Sequence, residues 1–208
     1  TIIGWGAPNK QGKASCHGSP LGKDEVALAR KQIGWSHDPF VIPVEYYSGW
    51  DARRRGKRIE IQWKKKFAIY RQQHPELAAE FERRINNTLP ANWEGTTSTF
   101  IRKSSEKAET IASRKASQNT LEAYGPVLPE LIGGSADLTG SNLTQWSGSK
   151  TISGGPGHGN YIYYGVREFG MAAINSGIAL HGGYIPYGGT FLIFSEYARN
   201  ALRVAALM

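Results

Sequence analysis

The sequence predicts an α/β fold, in which strands alternate with helices and pair into a parallel or mixed sheet. Three observations predict it. A hydrophobic content of 40% and 25 glycines among 208 residues indicate a globular chain rather than a disordered one. Short apolar segments with strand character occur at 131–137, 161–164 and 184–191. Helical patterns accompany them at 168–181 and from about 192 to 208.

The chain before these strands is predicted to be mostly helical. Residues 1–6 have the composition of the end of a buried strand, and the segment 7–22, rich in Gly, Pro, Asn and Ser, is expected to be a loop. Helical patterns follow at 24–33, 44–73, 76–86 and 113–124. A break in the longest of them is expected near Gly49 or Gly56, because glycine weakens a helix interior.

Segment 88–105 shows no helical or strand periodicity. It collects Pro90, Asn92 and Gly95 together with several Thr and Ser residues. We interpret it as a linker between two domains, with a short turn at residues 100–101. The chain starts without Met and stops inside a helical pattern, so we expect it to be an internal fragment of a longer parent.

The formal net charge of +8 is concentrated in one helical segment. Much of it lies in the basic runs 53–58 and 64–66. Such runs are one signature of a nucleic-acid-binding patch. We favour the solvated face of a helix, because the same segment carries an apolar stripe at helical spacing. The stripe consists of Ile59, Trp63, Phe67 and Tyr70. Anionic small substrates are compatible with the surplus charge.

Neither a membrane segment nor a disulfide is expected. No apolar run approaches the ~20 residues that cross a bilayer. Cys16 is the sole cysteine, so no internal disulfide can form, which fits a reducing cytoplasm. The five histidines show no metal-ligand spacing, so no metal site is predicted within this sequence.

Glu168 is the most informative acidic residue. It stands where the predicted helix 168–181 begins, after a strand and a Gly turn, among small and apolar neighbours. A carboxylate in this position either caps the helix, whose first turn carries partial positive charge, or is kept partly buried to move protons. The pattern alone slightly favours capping.

Two further polar side chains are candidates. His17 lies in the loop that follows a predicted strand end, where open α/β sheets place their ligands, although a lone histidine is more often a surface residue. Cys16 beside it is not expected to be a nucleophile. Arg114 falls in the first turn of helix 113–124, where backbone N–H groups and a guanidinium could jointly hold a phosphate.

Two other patterns carry less information. Three aromatic residues fall three apart, which favours core packing over a stacking wall for a flat ring. They are Phe191, Phe194 and Tyr197. The glycine-rich segment 154–159 matches no dinucleotide or phosphate-loop fingerprint and is expected to be only a loop.

Taken together, these segments resemble those of transketolases, the thiamine-diphosphate enzymes of sugar-phosphate metabolism. The resemblance covers essentially all 208 residues. The matching segments, in chain order, are TIIGWGAPNK from Thr1, HGSPLG from His17, SRKASQN from Ser113, GGSADL from Gly133, SNLT from Ser141, YGVREFGM from Tyr164, PYGGTFL from Pro186 and EYAR from Glu196.

The resemblance implies a thiamine-diphosphate-binding fold, with the end of one α/β domain joined by a linker to the front of a second, parallel-sheet domain. It assigns residues 1–88 to the diphosphate-binding domain and residues 107–208 to the pyrimidine-binding domain. The linker then occupies 89–106, which agrees with the interpretation of that segment from its composition.

The resemblance also implies an activity. A transketolase transfers a two-carbon ketol unit from a ketose phosphate to an aldose phosphate through a thiamine diphosphate adduct. Two alternatives stay open: a formaldehyde-using relative (a dihydroxyacetone synthase), and a catalytically silent transketolase-like binding protein. The implied cofactors are thiamine diphosphate and Mg²⁺, whose ligands are expected upstream of this sequence. The implied partner is a second copy of the chain in the cytoplasm, with no nucleic acid and no membrane.

Site residues follow from the same resemblance. Glu168 matches the glutamate that hydrogen-bonds N1′ of the cofactor's pyrimidine and acts as a positioned acid. The aromatic residues that match the pocket around that ring are Phe191, Phe194 and Tyr197. His17 matches a catalytic histidine that touches both the diphosphate and the bound sugar. Because family sites form between two subunits, His17 and Glu168 of one chain would serve different sites.

The remaining matches concern an aspartate and a phosphate grip. Asp137 matches an aspartate near the cofactor. Arg114 and Ser141 match the pair that holds the phosphate of the substrate.

Overall fold

The computed structural model describes residues 1–155 and 159–208, and it divides into two compact units, 1–65 and 66–208. Residues 156–158 of the predicted loop 154–159 lie outside the described residues. The division between the units falls inside a helix, whereas the sequence places a linker at 89–106. The predicted domain organisation therefore stays a prediction.

The α-helices of the described residues are α1 (Lys23–Gln32), α2 (Val44–Trp50), α3 (Arg53–Gln73), α4 (Pro75–Ile85), α5 (Trp93–Lys107), α6 (Ser113–Tyr124), α7 (Thr139–Asn142), α8 (Glu168–His181) and α9 (Ser195–Leu207). The strands are β1 (Leu131–Ser135), β2 (Tyr161–Tyr163) and β3 (Ile185–Gly189), and short 3₁₀ helices cover Ala14–Cys16, Gly125–Val127 and Leu192–Phe194. The predicted helices and the three predicted strands are confirmed, with ends shifted by a few residues at most. The break in the long basic segment lies at residues 51–52, close to Gly49 as predicted.

The first unit contains a turn where the sequence predicted a strand. Residues 1–6 form turns because Gly4 and Gly6 adopt φ values of +63° and +89°, which end an extended backbone. The turns are closed by hydrogen bonds from Ala7 N to Gly4 O (3.0 Å) and from Gly12 N to Ile3 O (2.8 Å). The prediction of a buried strand end was wrong.

The basic segment forms α2 and α3, and its charges are exposed as predicted. The apolar stripe is only partly covered. Phe67 packs against Tyr70 and Phe81, with ring centroids 6.2 and 5.5 Å apart, whereas Ile59 and Trp63 are about half exposed. The solvated-face interpretation fits this helix.

The predicted aperiodic linker contains a helix. α5 occupies most of 88–105, and the expected short turn at 100–101 lies within it. Trp93 and Phe100 stand seven residues apart on α5, and both pack on Tyr124 of α6, with ring centroids 4.8 and 5.3 Å apart. The packing of α5 on α6 therefore stabilises a helix whose own sequence shows weak periodicity.

The second unit contains a three-stranded parallel sheet in the order β2–β1–β3. Gly133 of β1 lies opposite Tyr161 and Tyr187, and Ser135 lies opposite Tyr163 and Gly189. α8 packs on β3 and α9. The buried cluster beneath α8 comprises Ala136, Tyr164 and Met171, with Ile162 packed against it. The sheet thus brings the carboxyl ends of its strands to one edge.

An ion-pair network anchors α4 to the residue before β1. The Arg83 guanidinium donates to both carboxylate oxygens of Glu130 (2.8 Å each) and to both oxygens of Glu80 (2.7 and 2.8 Å). It also donates to Thr88 O (2.7 Å), and Arg84 reaches Glu80 (2.7 Å). The Glu130 side chain is only 5% exposed, so its charge depends on Arg83.

We expect Arg83→Met to lower the free energy of unfolding of the full-length gene product by about 3 kcal/mol, because it leaves the Glu130 carboxylate buried and unpaired. Denaturant unfolding measures the change. Arg102→Met is the matched control, since Arg102 makes an exposed pair with Glu106 on α5, and we expect it to cost less than about 0.5 kcal/mol. Equal effects of the two substitutions would contradict the structural weight given to Glu130.

Acid should weaken the same network. Hydrogen bonds from Arg83 lower the pKa of Glu80 from its ordinary 4.5 to about 2. Burial alone would raise the pKa of Glu130, but hydrogen bonds from Arg83 outweigh it and leave that pKa lowered. Unfolding therefore takes up protons, so the stabilisation is present above pH 4.5 and is lost as the pH falls from 4.5 towards 2. We expect the denaturation midpoint to fall across that window, and to fall less in Arg83→Met. A parallel decline in both proteins would assign the acid sensitivity to other groups.

Candidate functional site

A cleft of about 580 Å³ opens at the carboxyl end of β1, beside the start of α8. Parallel α/β sheets place their ligands at this edge. Three parts of the second unit form the walls: the segment after β1, the first turn of α8, and the junction leading into α9. The lining residues are Ala136, Asp137, Leu138, Val166, Arg167, Glu168, Phe169, Phe194 and Tyr197.

A tight turn after β2 places Glu168 in this cleft. Gly165 adopts φ +67°, and the Arg167 N–H donates to Gly165 O at 2.8 Å. A Cβ at position 165 would lie 2.5 Å from the Arg167 guanidinium, which itself donates to Tyr164 O (3.0 Å). The turn therefore favours glycine, and α8 begins immediately afterwards, at Glu168.

The Glu168 side chain is mostly buried, and its unpaired carboxylate opens onto the cleft. The residue is 7% exposed, and within residues 1–155 and 159–208 its side chain has no hydrogen bond or ion pair. Glu168 lies in the first turn of α8, where the partial positive charge of the helix end favours a carboxylate, so its position fits both the capping interpretation and a role in moving a proton. A buried carboxylate without a protein partner costs free energy, and such costs concentrate at sites that bind a ligand or move a proton.

Aromatic rings form the opposite wall. Phe194 and Tyr197 both line the cleft, with ring centroids 5.9 Å apart. Phe191 stacks on Phe194 at 5.9 Å and 17°, one layer away from the lining. The spacing of these residues alone had favoured core packing. Tyr197 is 68% exposed, so they do not form part of the core. Their arrangement suits a flat ring.

Asp137 lines the same cleft in a constrained backbone conformation. Its φ of +59° belongs to the left-handed region, which Asp tolerates better than most residues. The next residue is fixed by a hydrogen bond from Leu138 N to Ser135 Oγ (3.1 Å). The structure therefore brings together four of the predicted site residues: Asp137, Glu168, Phe194 and Tyr197.

His17 belongs to the first unit, at the end of the 3₁₀ helix Ala14–Cys16, and is exposed. Lys10 braces its loop on both sides, since Lys10 O accepts from Cys16 Sγ (2.6 Å) and Lys10 Nζ donates to Leu21 O (2.8 Å). Asn9 also ties this loop to α1 through Glu25, and the Asn9 side-chain hydrogen bond lowers the pKa of that carboxyl despite the opposing effect of burial. The loop around His17 is therefore held by its own side chains.

The two predicted phosphate-binding residues lie on exposed helical turns of the second unit. Arg114 is in the first turn of α6, as predicted, and Ser141 is in α7. Gln118 of α6 donates to Gln145 O (3.0 Å) just beyond α7, which links the two segments.

Two residues of this region were missed by the sequence reasoning. Ser135 is fully buried and holds the cleft wall through Leu138. Arg167 lines the cleft beside Glu168. Both residues had a signal, because Arg167 stands inside the YGVREFGM segment and Ser135 inside the GGSADL segment.

Neither a metal cluster nor a membrane span occurs in the described parts of the chain. No three His, Cys, Asp or Glu side chains there are grouped as metal ligands. No helix among the described residues has the length and apolar character that crossing a bilayer requires.

The chain matches the models of two known domain families. Residues 1–90 match the family model of the transketolase thiamine diphosphate binding domain, and residues 109–208 match that of the transketolase pyrimidine binding domain. The chain belongs to the transketolase family. Its cleft lies in the part that matches the pyrimidine binding domain, and the resemblance seen in the sequence is confirmed.

Proteins named transketolase match this chain over its whole length. It is 60% identical over 208 residues to transketolase 2 of Vibrio parahaemolyticus and 59% identical to transketolase 2 of Escherichia coli. In both cases the match covers 100% of this chain and 31% of the relative, so the chain spans about a third of their length. These names favour neither the formaldehyde-using alternative nor the silent binding protein.

Solved transketolases share the fold. A transketolase of Pichia stipitis in complex with sedoheptulose 7-phosphate is 39% identical, with a TM-score of 0.85, and is matched over 100% of this chain and 31% of its own. Transketolase from Leishmania mexicana is 34% identical with a TM-score of 0.84, over 100% of this chain and 30% of that one. The helix-rich architecture with a parallel sheet is thus the transketolase fold.

We expect Glu168→Gln to raise the free energy of unfolding of the cofactor-free, full-length gene product by no more than about 1 kcal/mol, because removal of an unpaired, mostly buried charge outweighs the loss of its interaction with the first turn of α8. Thermal unfolding at neutral pH measures the change. Glu94→Gln is the control: Glu94 lies in the first turn of α5 but is exposed, so its loss should be neutral or slightly destabilising. A loss of stability in Glu168→Gln would mean that this carboxylate is compensated.

Proposed function

We propose that the protein containing this chain is a transketolase, which transfers a two-carbon ketol unit from a ketose phosphate to an aldose phosphate with thiamine diphosphate. The observation that carries the proposal is the buried, unpaired Glu168 carboxylate facing aromatic rings across the cleft. The names of the relatives and the sugar phosphate bound to the Pichia stipitis enzyme support the same reaction.

The cleft fits the aminopyrimidine half of the cofactor. A flat heteroaromatic ring needs an apolar wall for its face and a polar group at its edge. Phe194 and Tyr197 supply the wall, and Glu168, without a protein hydrogen-bond partner among the described residues, supplies the edge group. Phe191 supports the wall from behind through its stack on Phe194.

The mechanism assigns each side chain a task. When bound, thiamine diphosphate supplies the electron sink for cleaving and forming the carbon–carbon bond. Glu168 holds a proton at N1′ of the pyrimidine ring, and its buried position strengthens that hydrogen bond. Phe194 and Tyr197 fix the ring and exclude water from it. Asp137 stands at the rim of the same cleft, near the cofactor.

Substrate binding involves residues outside this cleft. His17 contacts the diphosphate and the sugar from the first unit. Arg114 and Ser141 hold the phosphate of the substrate: the guanidinium provides a charge-assisted bond, and the first turn of α6 provides free N–H groups. Mg²⁺ accompanies the diphosphate, and we assign it no ligand among the described residues.

The proposal extends to assembly and organisation. Two copies of the protein form a homodimer with sites between subunits, so that His17 and Glu168 of one chain serve different sites. Residues 1–88 belong to the diphosphate-binding domain, 107–208 to the pyrimidine-binding domain, and 89–106 connect them. The enzyme acts in the cytoplasm.

The experiment supplies the full-length gene product with thiamine diphosphate and Mg²⁺ and measures transfer from a ketose phosphate to an aldose phosphate. We expect cofactor-dependent transfer in the unaltered protein. In Glu168→Gln, we expect the transfer rate and the exchange of the C2 proton of the cofactor to fall on the order of 100-fold or more, with the fold retained. Glu94→Gln should change the rate by less than about 2-fold, because Glu94 is remote from the cleft lining.

Two results would refute the proposal. Transfer that does not depend on thiamine diphosphate would remove the cofactor from the reaction. Near-normal C2 proton exchange in folded Glu168→Gln would remove the acid role of Glu168.

A further inference from the structure

A network of buried and partly buried hydroxyl and amide groups lies under the cleft wall and joins α7 to all three strands. We call it the Ser135 hub. Its side chains are Ser135, Thr139, Asn142, Thr144, Tyr161 and Tyr187.

Ser135 is the centre of the hub and is fully buried. Its Oγ lies 2.9 Å from Asn142 Nδ2, 3.1 Å from Leu138 N and 3.2 Å from Gly189 O. One hydroxyl group therefore connects the end of β1, the turn after it, the end of α7 and the end of β3.

The other half of the hub holds α7 against β2 and β3. The Thr144 hydroxyl lies 3.1 Å from Asn142 Oδ1 and 2.7 Å from the Tyr161 hydroxyl, which in turn lies 2.8 Å from Thr139 Oγ1. The Tyr187 hydroxyl donates to Thr144 O at 3.0 Å. Burial raises the pKa of Tyr187, so this donor keeps its proton.

The hydrogens of the hub can be arranged in one way. Asn142 Nδ2 and the Leu138 N–H can only donate, so Ser135 gives its own proton to Gly189 O. Thr144 donates to Asn142 Oδ1 and therefore accepts from Tyr161, which accepts from Thr139. A flip of the Asn142 amide would require Ser135 to donate to Asn142 Oδ1 and so to give up its hydrogen bond to Gly189 O, so the hub favours the orientation described.

α7 depends on the hub for its position. Its four residues are too few to form a stable helix alone. Its first and last residues, Thr139 and Asn142, are both members of the hub, and Ser141 lies between them with an exposed side chain. β3 also approaches closely, since a Cβ at Gly189 would lie 2.3 Å from Thr144 Cγ2.

We infer that Asn142, with Ser135, is a positioning residue that sets the preference of the enzyme for phosphorylated over unphosphorylated sugars. The inference rests on the proposed function, in which Ser141 contacts the substrate phosphate. Asn142 acts through the neighbouring Ser141: without its two hydrogen bonds the end of α7 loses its fixed place, and the Ser141 hydroxyl with it. The side chain of Asn142 makes no hydrogen bond to a residue that lines the cleft, and the bond from Leu138 N to Ser135 Oγ does not depend on it, so we expect its loss to preserve cofactor chemistry.

The test is Asn142→Ala in the full-length gene product with thiamine diphosphate and Mg²⁺. We expect KM for a ketose phosphate to rise about 5- to 10-fold, the effect of one lost neutral hydrogen bond. We expect kcat and the KM for an unphosphorylated ketose to stay within about 2-fold. The dissociation constant of an aldose phosphate, measured by calorimetry, should rise by the same factor as KM for the ketose phosphate.

Three further variants make the result specific. Gln145→Ala is the matched control, because Gln145 follows α7 closely and its side-chain amide donates an exposed hydrogen bond to the Tyr163 hydroxyl, which is not part of the hub. We expect this substitution to leave both KM values unchanged. Thr144→Val keeps the side-chain shape, removes the donor to Asn142 Oδ1, and should raise KM for the phosphorylated sugar alone. Arg114→Ala is the reference for direct loss of a phosphate contact, with KM expected to rise by about 10-fold or more.

The outcomes separate the two proposals. If Asn142→Ala raises KM equally for phosphorylated and unphosphorylated sugars, or changes neither KM, the role of Asn142 is overturned. The proposed function is still upheld in that case if the unaltered protein shows cofactor-dependent transfer. Should the unaltered protein show no such transfer, the proposed function fails and this inference fails with it. A rise confined to phosphorylated sugars in both Asn142→Ala and Thr144→Val supports it.

Discussion

The close approach of β1 to the strands on either side determines the geometry of the site. A Cβ at Gly133 would lie 2.1 Å from Tyr187 O, and one at Gly134 would lie 1.7 Å from Ile162 O. Any side chain at either position would force the strands apart, so the sheet can form with this spacing only if both residues are glycine. Because the pairing is parallel, the three strands release their chains at a single edge, and both the cleft and α7 are built on that edge.

The two structures at this edge differ in how their polar groups are satisfied. The hub under α7 pairs its buried hydroxyl and amide groups with one another, which gives a fixed shape. The Glu168 side chain in the cleft is mostly buried but has no hydrogen-bond partner among the described residues. A binding site needs a scaffold whose polar groups are hydrogen-bonded to one another, and a functional group that is left free to bond to one atom of a ligand. The hub and Glu168 show this arrangement.

Local signals allowed much of the fold to be predicted. α6 and α8 begin and end at the predicted residues, because glycine marks their boundaries: α8 follows the turn at Gly165 and stops before Gly182, whose φ is +81°. The misses involve contacts between distant residues. α5 is stabilised by the packing of Trp93 and Phe100 on Tyr124, which no local pattern reveals. The turn at 1–6 has strand-like composition but depends on the conformations of two glycines.

The site was predictable only in part, and for the same reason. Glu168 and its aromatic neighbours stand in segments whose order resembles a known family, so their roles could be assigned by that resemblance. Ser135 also stands in such a segment, but its supporting role could not be found in this way, because its acceptor Gly189 lies 54 residues further along the chain. A serine at a strand end carries no sign of what it holds until the strands are paired.

The buried phenols have a consequence for how the molecule tolerates extremes of pH. Burial raises the pKa of both Tyr164, which donates to Asn175 Oδ1, and Tyr187, so alkali does not readily strip these donors of their protons. The carboxylates bound to Arg83 have lowered pKa values, so they keep their charge to lower pH than free carboxylates do. These polar contacts of the second unit therefore keep one protonation state over a wider pH interval than the same groups would in an unfolded chain.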